Sequence, residues 1–280
     1  MTFHLGDNCL SCHLCGYQLA PPPTECPGCH GKRPLKFRGV GTEQIERALH
    51  AIFPSIRTLR IDADTTRHKG SHQKLLRDFG TGKADVLIGT QMIAKGLHFP
   101  EVTLVGVLNS DAGLNIPDFR ASETVFQLIT QVAGRSGRGT SPGEVIIQTS
   151  LPENATIQFA ARQDYAGFYA EEIAVRELFG YPPFSHMAKL LFSGSHAGQT
   201  MEAAERIRKA LIQCLPTHFE FNPVVPCGYA KVKDLFRYQF LLRGPSMVPL
   251  NAAIHAVQER HPLPRHIKLF IDVNPSSTFF

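Results

Sequence analysis

The sequence has no apolar run of membrane-spanning length; its longest apolar stretches are strand-sized, which excludes a helical span and a membrane partner. Its start, Met1-Thr-Phe-His-Leu-Gly-Asp-Asn8, has neither a basic region nor an apolar core, so no export signal is read and a cytoplasmic chain is expected. Internal repeats and low-complexity tracts are absent. Excess charge is small: 29 basic against 24 acidic residues permits a nucleic-acid partner without demanding one. Seven cysteines in an unexported chain argue against disulfides and for metal or free thiols. A phosphate loop is missing too. Phe79-Gly-Thr-Gly-Lys-Ala84 imitates one, but G-x4-G-K-[ST] needs Gly where Arg77 stands and a hydroxyl where Ala84 stands. The order is also reversed, helix first and strand after, so a helix-to-strand turn is expected. Asp111 follows an apolar strand as a metal-holding carboxylate would, but no acidic partner follows it.

What is present suffices for two domains with ample core. A short strand at Phe37–Val40 leads to a helix over Glu43–Phe53, with Thr42 as N-cap and Ile45, Ala48, Leu49 and Ile52 on one face. Strand Thr58–Ile61, a basic helix over Lys69–Phe79, strands Val86–Ile88 and Val102–Leu108, helix Glu123–Ala133 and strand Glu144–Gln148 follow. This alternation predicts an α/β domain, a parallel sheet covered on both faces, over residues 35–165. Ligands of such sheets bind beyond the carboxyl ends of the strands. Asp62, Asp64, Gly89-Thr90, Asp111 and the loop Gln131–Arg138 fall there, although an acidic-Thr-Thr cluster such as Asp62–Thr66 is often only a turn, which leaves Asp62, Asp64 and Arg67 vague.

Residues 166–280 read as a connecting helix over Tyr165–Phe179, the breaker Gly180-Tyr-Pro-Pro-Phe184, then strand Met187–Phe192, helix Gln199–Leu215, strand Phe236–Leu242, helix Pro249–Arg260 and strand Ile267–Val273. A small α+β domain of the split βαβ type is expected. Lys231, Lys233, Arg237, Tyr238 and Arg243 gather around one hairpin; basic groups with an interleaved aromatic suit a nucleic-acid backbone and an exposed base, against the plainer reading of a solvated strand face.

Two constellations carry chemistry. Cys12-His-Leu-Cys15 and Cys26-Pro-Gly-Cys29 form two C-x2-C knuckles, each aiming two thiolates at a tetrahedral zinc ion. Residues 1–34 are too short and polar to bury a core, so metal is the expected source of their folding energy. Cys9 reads as a spare, with His4 and His13 as weaker contenders. The second constellation is Gln131-Val-Ala-Gly-Arg-Ser-Gly-Arg138. Two arginines on a glycine-permitted approach at a helix end make a clamp for phosphate, and such a clamp can stabilise the charge that develops as a γ-phosphate leaves. A basic helix end facing its own dipole is the plainer alternative.

The stretches GTQMIAKGLHFPEVTLVGVLNSD (89–111) and DFRASETVFQLITQVAGRSGRG (118–139) resemble motifs V and VI of the superfamily-two helicases. More closely, the chain resembles the primosomal protein N′ (PriA) family of bacterial replication-restart DNA helicases, from the cysteine pairs to Asp272-Val-Asn-Pro275. Thr124 stands where that family suggests a basic residue, and Ser136 where it usually has Ala. The resemblance implies a RecA-like second helicase lobe between a partial zinc module and a DNA-binding carboxyl-terminal domain. It implies an ATP-dependent 3′-5′ DNA helicase of the primosome, with ATP and magnesium as substrate, acting at stalled or branched forks to reload the replicative helicase. Gly96, Gln131, Arg135 and Arg138 would then face the nucleotide, and Thr90, Gln91 and Lys95 the DNA backbone. Forked or single-stranded DNA, other primosome proteins and single-stranded DNA-binding protein would be partners. It implies two zinc ions in the full protein, so that Cys12 with Cys15 and Cys26 with Cys29 would each need a second pair. An amino-terminally truncated piece is therefore expected, whose P-loop and acidic box belong to a preceding lobe. The alternative is a DNA- and zinc-binding module with no ATPase of its own.

Overall fold

The computed structural model describes residues 2–4, 9–11, 18–25, 30–31, 41–62, 65–66, 70–94, 99, 101–134 and 143–279. The chain divides into two compact units: Arg38–Ile116 with Ala121–Ala170, and Met1–Phe37 with Pro117–Arg120 and Glu171–Phe280. At the start, β1 (Thr2–His4), β2 (Cys9–Ser11) and β3 (Gln18–Leu19) pair as a small antiparallel sheet in that order. The strand expected at 37–40 lies outside the described residues.

The first unit opens with α1 (Thr42–Ile52) and β4 (Thr58–Ile61). Gly41, not Thr42, is the N-cap. The Thr42 hydroxyl instead donates to Asp62 Oδ2 at 2.7 Å, tying the helix start to the end of β4. Gly70, at φ 88°, turns the chain into α2 (Ser71–Gly80), which therefore begins later than its basic run suggests. β5 (Val86–Gly89) lies parallel to β4, Thr58 opposite Val86. That register is pinned just before the strands. Asp85 takes the Arg57 guanidinium through Nε at 3.0 Å and Nη2 at 2.5 Å, accepts from Arg57 N at 3.0 Å, and returns its own N–H to Arg57 O at 2.8 Å.

Next come α3 (Gln91–Ala94), β6 (Leu104–Val107), α4 (Asp111–Leu114), α5 (Ala121–Ala133) and β7 (Glu144–Ile147), with β7 parallel to β6. Then follow α6 (Ala155–Arg162) and α7 (Tyr165–Leu178). Val125, Phe126 and Ile129 of α5 form the core with Ile157, Ala160 and Phe168, and the Phe126 and Phe168 rings stack at 4.2 Å. Val107 and Ile147 pack against this cluster, whereas Leu104 and Ile146 on the alternate face are 57% and 55% exposed. Among the described residues the parallel strands thus form two pairs, and the β6–β7 pair is covered on one face rather than on both.

The carboxyl-terminal sheet is built from β8 (His186–Gly194), β9 (Glu220–Phe221), β10 (Val225–Val232), β11 (Leu235–Gly244) and β12 (Ile267–Val273). Its order is β10-β11-β8-β12, antiparallel throughout, with β9 on β11. α8 (Ala197–Cys214) crosses from β8 towards β10 with β11 between them, and α9 (Met247–Arg260) crosses from β11 to β12 with β8 between. This is the split βαβ pattern the sequence suggests. The period-two alternation of β8 sends Ala188, Leu190 and Phe192 into one core with Phe240, Leu242, Ile207, Leu211, Leu250, Ile254 and Val257. No helix among the described residues is long and apolar enough to cross a membrane.

Candidate nucleotide edge and nucleic-acid interface

The carboxyl ends of the parallel strands carry most of the polar residues of interest. β5 ends at Gly89, where a Cβ would stand 2.7 Å from both Ile61 O and Ile93 Cγ2, so only hydrogen fits. That close approach sets α3 directly against the end of β4. Thr90 and Gln91 are exposed at its start. α3 lies against α5, and α5 also lies against β6. Gln131 is half-buried near the end of α5, which closes with Gly134 N donating to Thr130 O at 3.0 Å. The fold therefore brings together the element opened by Gln91 and the element that carries Gln131 in its last turn. Lys95, Gly96, Arg135 and Arg138 lie outside the described residues.

Asp111 is a clip. It is buried and accepts from Ser150 Oγ at 2.6 Å, Ser150 N at 2.7 Å and the Thr149 hydroxyl. The Ser150 hydroxyl foremost, then the Thr149 hydroxyl and the Ser150 amide, hold its carboxyl below the ordinary range. Both oxygens are thus taken by donors beyond β7, fastening α4 to the end of that strand. Asp62 is equally occupied. Its Oδ1 accepts from Thr65 N at 2.9 Å, while its Oδ2 takes the Thr42 hydroxyl and stands 2.9 Å from Arg60 Nε as an ion pair without hydrogen-bond alignment. Thr65 and Thr66 bond back to Asp62, the Thr66 hydroxyl donating to Asp62 O at 2.6 Å and Thr66 N to the same oxygen at 3.1 Å. Asp64 and Arg67 lie outside the described residues. The glycine-lysine decoy is a helix-to-strand turn: Gly82 takes φ 76°, and Lys83 Nζ is 2.6 Å from Asp78, whose carboxyl this bond lowers.

The basic hairpin is β10–β11. Val232 pairs with Leu235, so Lys233 and Asp234 form a two-residue turn, both left-handed at φ 49° and 62°. Lys231 and Lys233 are exposed, as is Tyr229, while Arg237 and Tyr238 are half-buried on successive, opposite faces of β11. Lys231 Nζ is 3.0 Å from Asp234 Oδ1 and 5.3 Å from the centroid of the Phe236 ring. Arg243 does not join this group. It pairs with Met187 at the other end of β11, holds Glu220 at 2.8 and 2.6 Å, donates to Phe179 O at 2.6 Å and lies 5.1 Å over the Tyr181 ring. It is a structural clamp.

Cys12, Cys15, Cys26 and Cys29 lie outside the described residues, as does His13; Cys9 opens β2. Among the described residues no group of three or more His, Cys, Asp or Glu is placed to hold a metal ion. Cys214 is exposed and Cys227 buried, both free thiols; burial pushes Cys227 up to about 11.

Spacing gave no warning of Asp118 and Phe119. Asp118 Oδ2 accepts from Ser277 Oγ at 2.5 Å, Thr278 N at 3.0 Å and Phe279 N at 3.3 Å. Phe119 stacks on Tyr181 at 5.4 Å. An Asp just ahead of a helix reads as a local cap, and Asp118 Oδ1 does accept from Arg120 N at 2.9 Å. Its long-range partners leave no local trace.

Residues 38–140 match the family model described as the helicase conserved C-terminal domain, and residues 177–276 that of the primosomal protein N C-terminal domain. The chain is 54% identical over its whole length to a replication restart protein PriA of Chlamydia pneumoniae and 50% identical to that of Chlamydia muridarum, covering 37% of each. It is 42% identical over 98% of its length to the PriA of Bacillus subtilis, of which it covers 34%. The chain thus spans little more than a third of the curated relatives it matches.

Proposed function

The chain belongs to the PriA replication restart proteins as their carboxyl-terminal portion, and on that premise we propose that it is the second motor lobe and DNA-holding end of an ATP-driven 3′-5′ DNA helicase acting at stalled or branched forks. The observation that carries this reading is the contact of α3 with α5. Through it, an element of the stretch resembling motif V lies against the helix of the stretch resembling motif VI. Gln131, Arg135, Arg138 and Gly96 would face a nucleotide gripped by another lobe, and Thr90, Gln91 and Lys95 the DNA backbone. Phosphoryl transfer depends on positioning and charge neutralisation, and two arginine forks supply the second. The chain carries no G-x4-G-K-[ST], and Asp111 is already engaged, so the phosphate cradle and the magnesium-holding acids belong to that other lobe.

The β10–β11 hairpin, with Lys231, Lys233, Arg237 and Tyr238, is the proposed grip on forked or single-stranded DNA. The four thiolates of Cys12, Cys15, Cys26 and Cys29 suit zinc, whose structural sites take four sulfur ligands. Other primosome proteins and single-stranded DNA-binding protein are the partners this reading implies. The missing phosphate loop favours a second reading, a DNA- and zinc-binding module that never turns over ATP.

DNA-stimulated phosphate release separates the two. The chain alone should show negligible turnover, and turnover should appear when the remaining part of a close relative is supplied. Arg138→Ala should then lower it roughly a thousandfold, the scale of an arginine finger, with DNA affinity unchanged. Robust release by the chain alone, abolished by Arg138→Ala, overturns the proposed division of labour. No release in any combination favours the binding module.

A further inference from the structure

The unit that holds the five-stranded sheet also takes in Pro117–Arg120, a segment from the middle of the other unit's sequence. Beyond β12 the chain crosses the sheet on the face away from the α8–α9 core. Its carbonyls are met by three strands in turn. Ser277 O accepts from Lys189 Nζ of β8 at 2.9 Å, Thr278 O from Gln239 Nε2 of β11 at 2.8 Å, and Phe279 O from Gly228 N of β10 at 3.1 Å. Its donors converge on one carboxylate, Asp118 Oδ2. The neighbouring Phe119 is held separately, stacked on the Tyr181 ring and with the Arg176 guanidinium 5.3 Å from its centroid.

We infer that Asp118 and Phe119 form a latch by which the carboxyl-terminal tail fixes the start of α5, the helix whose other end carries Gln131. Charge-assisted bonds to a carboxylate are stronger than neutral ones, and three donors on one oxygen leave little freedom to the residue that carries it. A polar network with its members satisfied also rigidifies the backbone it joins. α5 begins at Ala121, immediately after the clamped segment, so ordering Pro117–Arg120 orders the first turn of α5. The coupling runs along the covalent chain and through a single helix. It is reciprocal: whatever loosens the tail loosens α5, and whatever moves α5 strains the tail. The inference stands apart from the motor reading, because its readout is backbone protection rather than turnover.

Hydrogen–deuterium exchange of the 280-residue chain tests it. In Asp118→Ala, amides in the first half of α5 should exchange about tenfold faster, while those of α8 and α9 keep their protection. Ser277→Ala removes one donor and should give the same pattern more weakly. Asp118→Asn, which keeps an acceptor oxygen, should restore part of the protection. If Asp118→Ala fails to fold, Ser277→Ala answers alone. Exchange that rises at Thr278 and Phe279 but not in α5 overturns the latch and leaves Asp118 as an anchor for the tail only.

Discussion

Asp111 stands at the end of an apolar strand, where nucleotide enzymes often keep a metal-holding carboxylate, yet its oxygens already serve Thr149 and Ser150. The consequence appears in acid. A carboxyl whose folded value lies below its unfolded one binds protons more readily when unfolded. Its stabilisation is therefore whole above the unfolded value, about 3.9, and fades as pH falls through the folded one. Asp85 behaves likewise, held to about 2 by the Arg57 side chain first and the Arg57 amide second. We predict that Asp111→Asn unfolds more readily than the parent near neutral pH and shows a shallower loss of stability below about pH 4, the remaining slope belonging to Asp85 and its kind. Denaturant midpoints across the acid range measure both. An acid limb unchanged by Asp111→Asn would show that the clip carries no proton-linked stability.

The β10–β11 hairpin combines features that conflict unless it touches something. Two-residue turns of this hand favour Asn-Gly, because both positions need positive φ. Lys233 and Asp234 occupy them instead, and the Lys231–Asp234 pair, with Asp234 94% exposed, offsets little of that strain. Replacing Lys233 and Asp234 by Asn and Gly should stabilise the chain by about 1 kcal/mol while weakening DNA binding. Reversing charge at Lys231 and Arg237 should weaken binding to all DNA sequences alike and flatten the fall of affinity with salt by roughly one unit of slope per lost phosphate contact. Affinity unmoved by these changes would make the hairpin a solvated face.

The elements themselves were unevenly legible. β4 and β12 have the bounds their apolar runs suggest, because each is short, β-branched and bracketed by breakers. β10 escapes reading: Pro226, Cys227 and Gly228 break its alternation, and its register shifts between Pro226 and Lys231. α6 escapes because it is a short helix defined by Asn154 capping Thr156 and Ile157 at one end and left-handed Gln163 at the other. α5 was legible through its apolar period, whereas α3, a single turn at Gln91–Ala94, was not read as a helix. The role of Asp118 was not legible, since its partners stand 159 and more positions away.

At the scale of the molecule, the core of the carboxyl-terminal sheet is drawn, among the described residues, from Ala188 to Ile267. Residues 1–34 have no comparable apolar reserve in their composition, so the metal and the sheet should support separate parts of the chain. Elemental analysis should find about one zinc per chain, as four thiolates allow, even though the resemblance implies two ions in a full-length relative. Chelation should leave the thermal transition of the carboxyl-terminal sheet in place and expose Cys12, Cys15, Cys26 and Cys29 to thiol reagents. Cys214 supplies the internal control, being exposed whether or not metal is bound. Cys227 supplies the opposite one, because a buried thiol held up at about 11 is scarcely ionised near neutral pH and reacts slowly. Thiols that react equally fast before and after chelation, in a chain that carries no zinc, would remove the metal from the amino-terminal module.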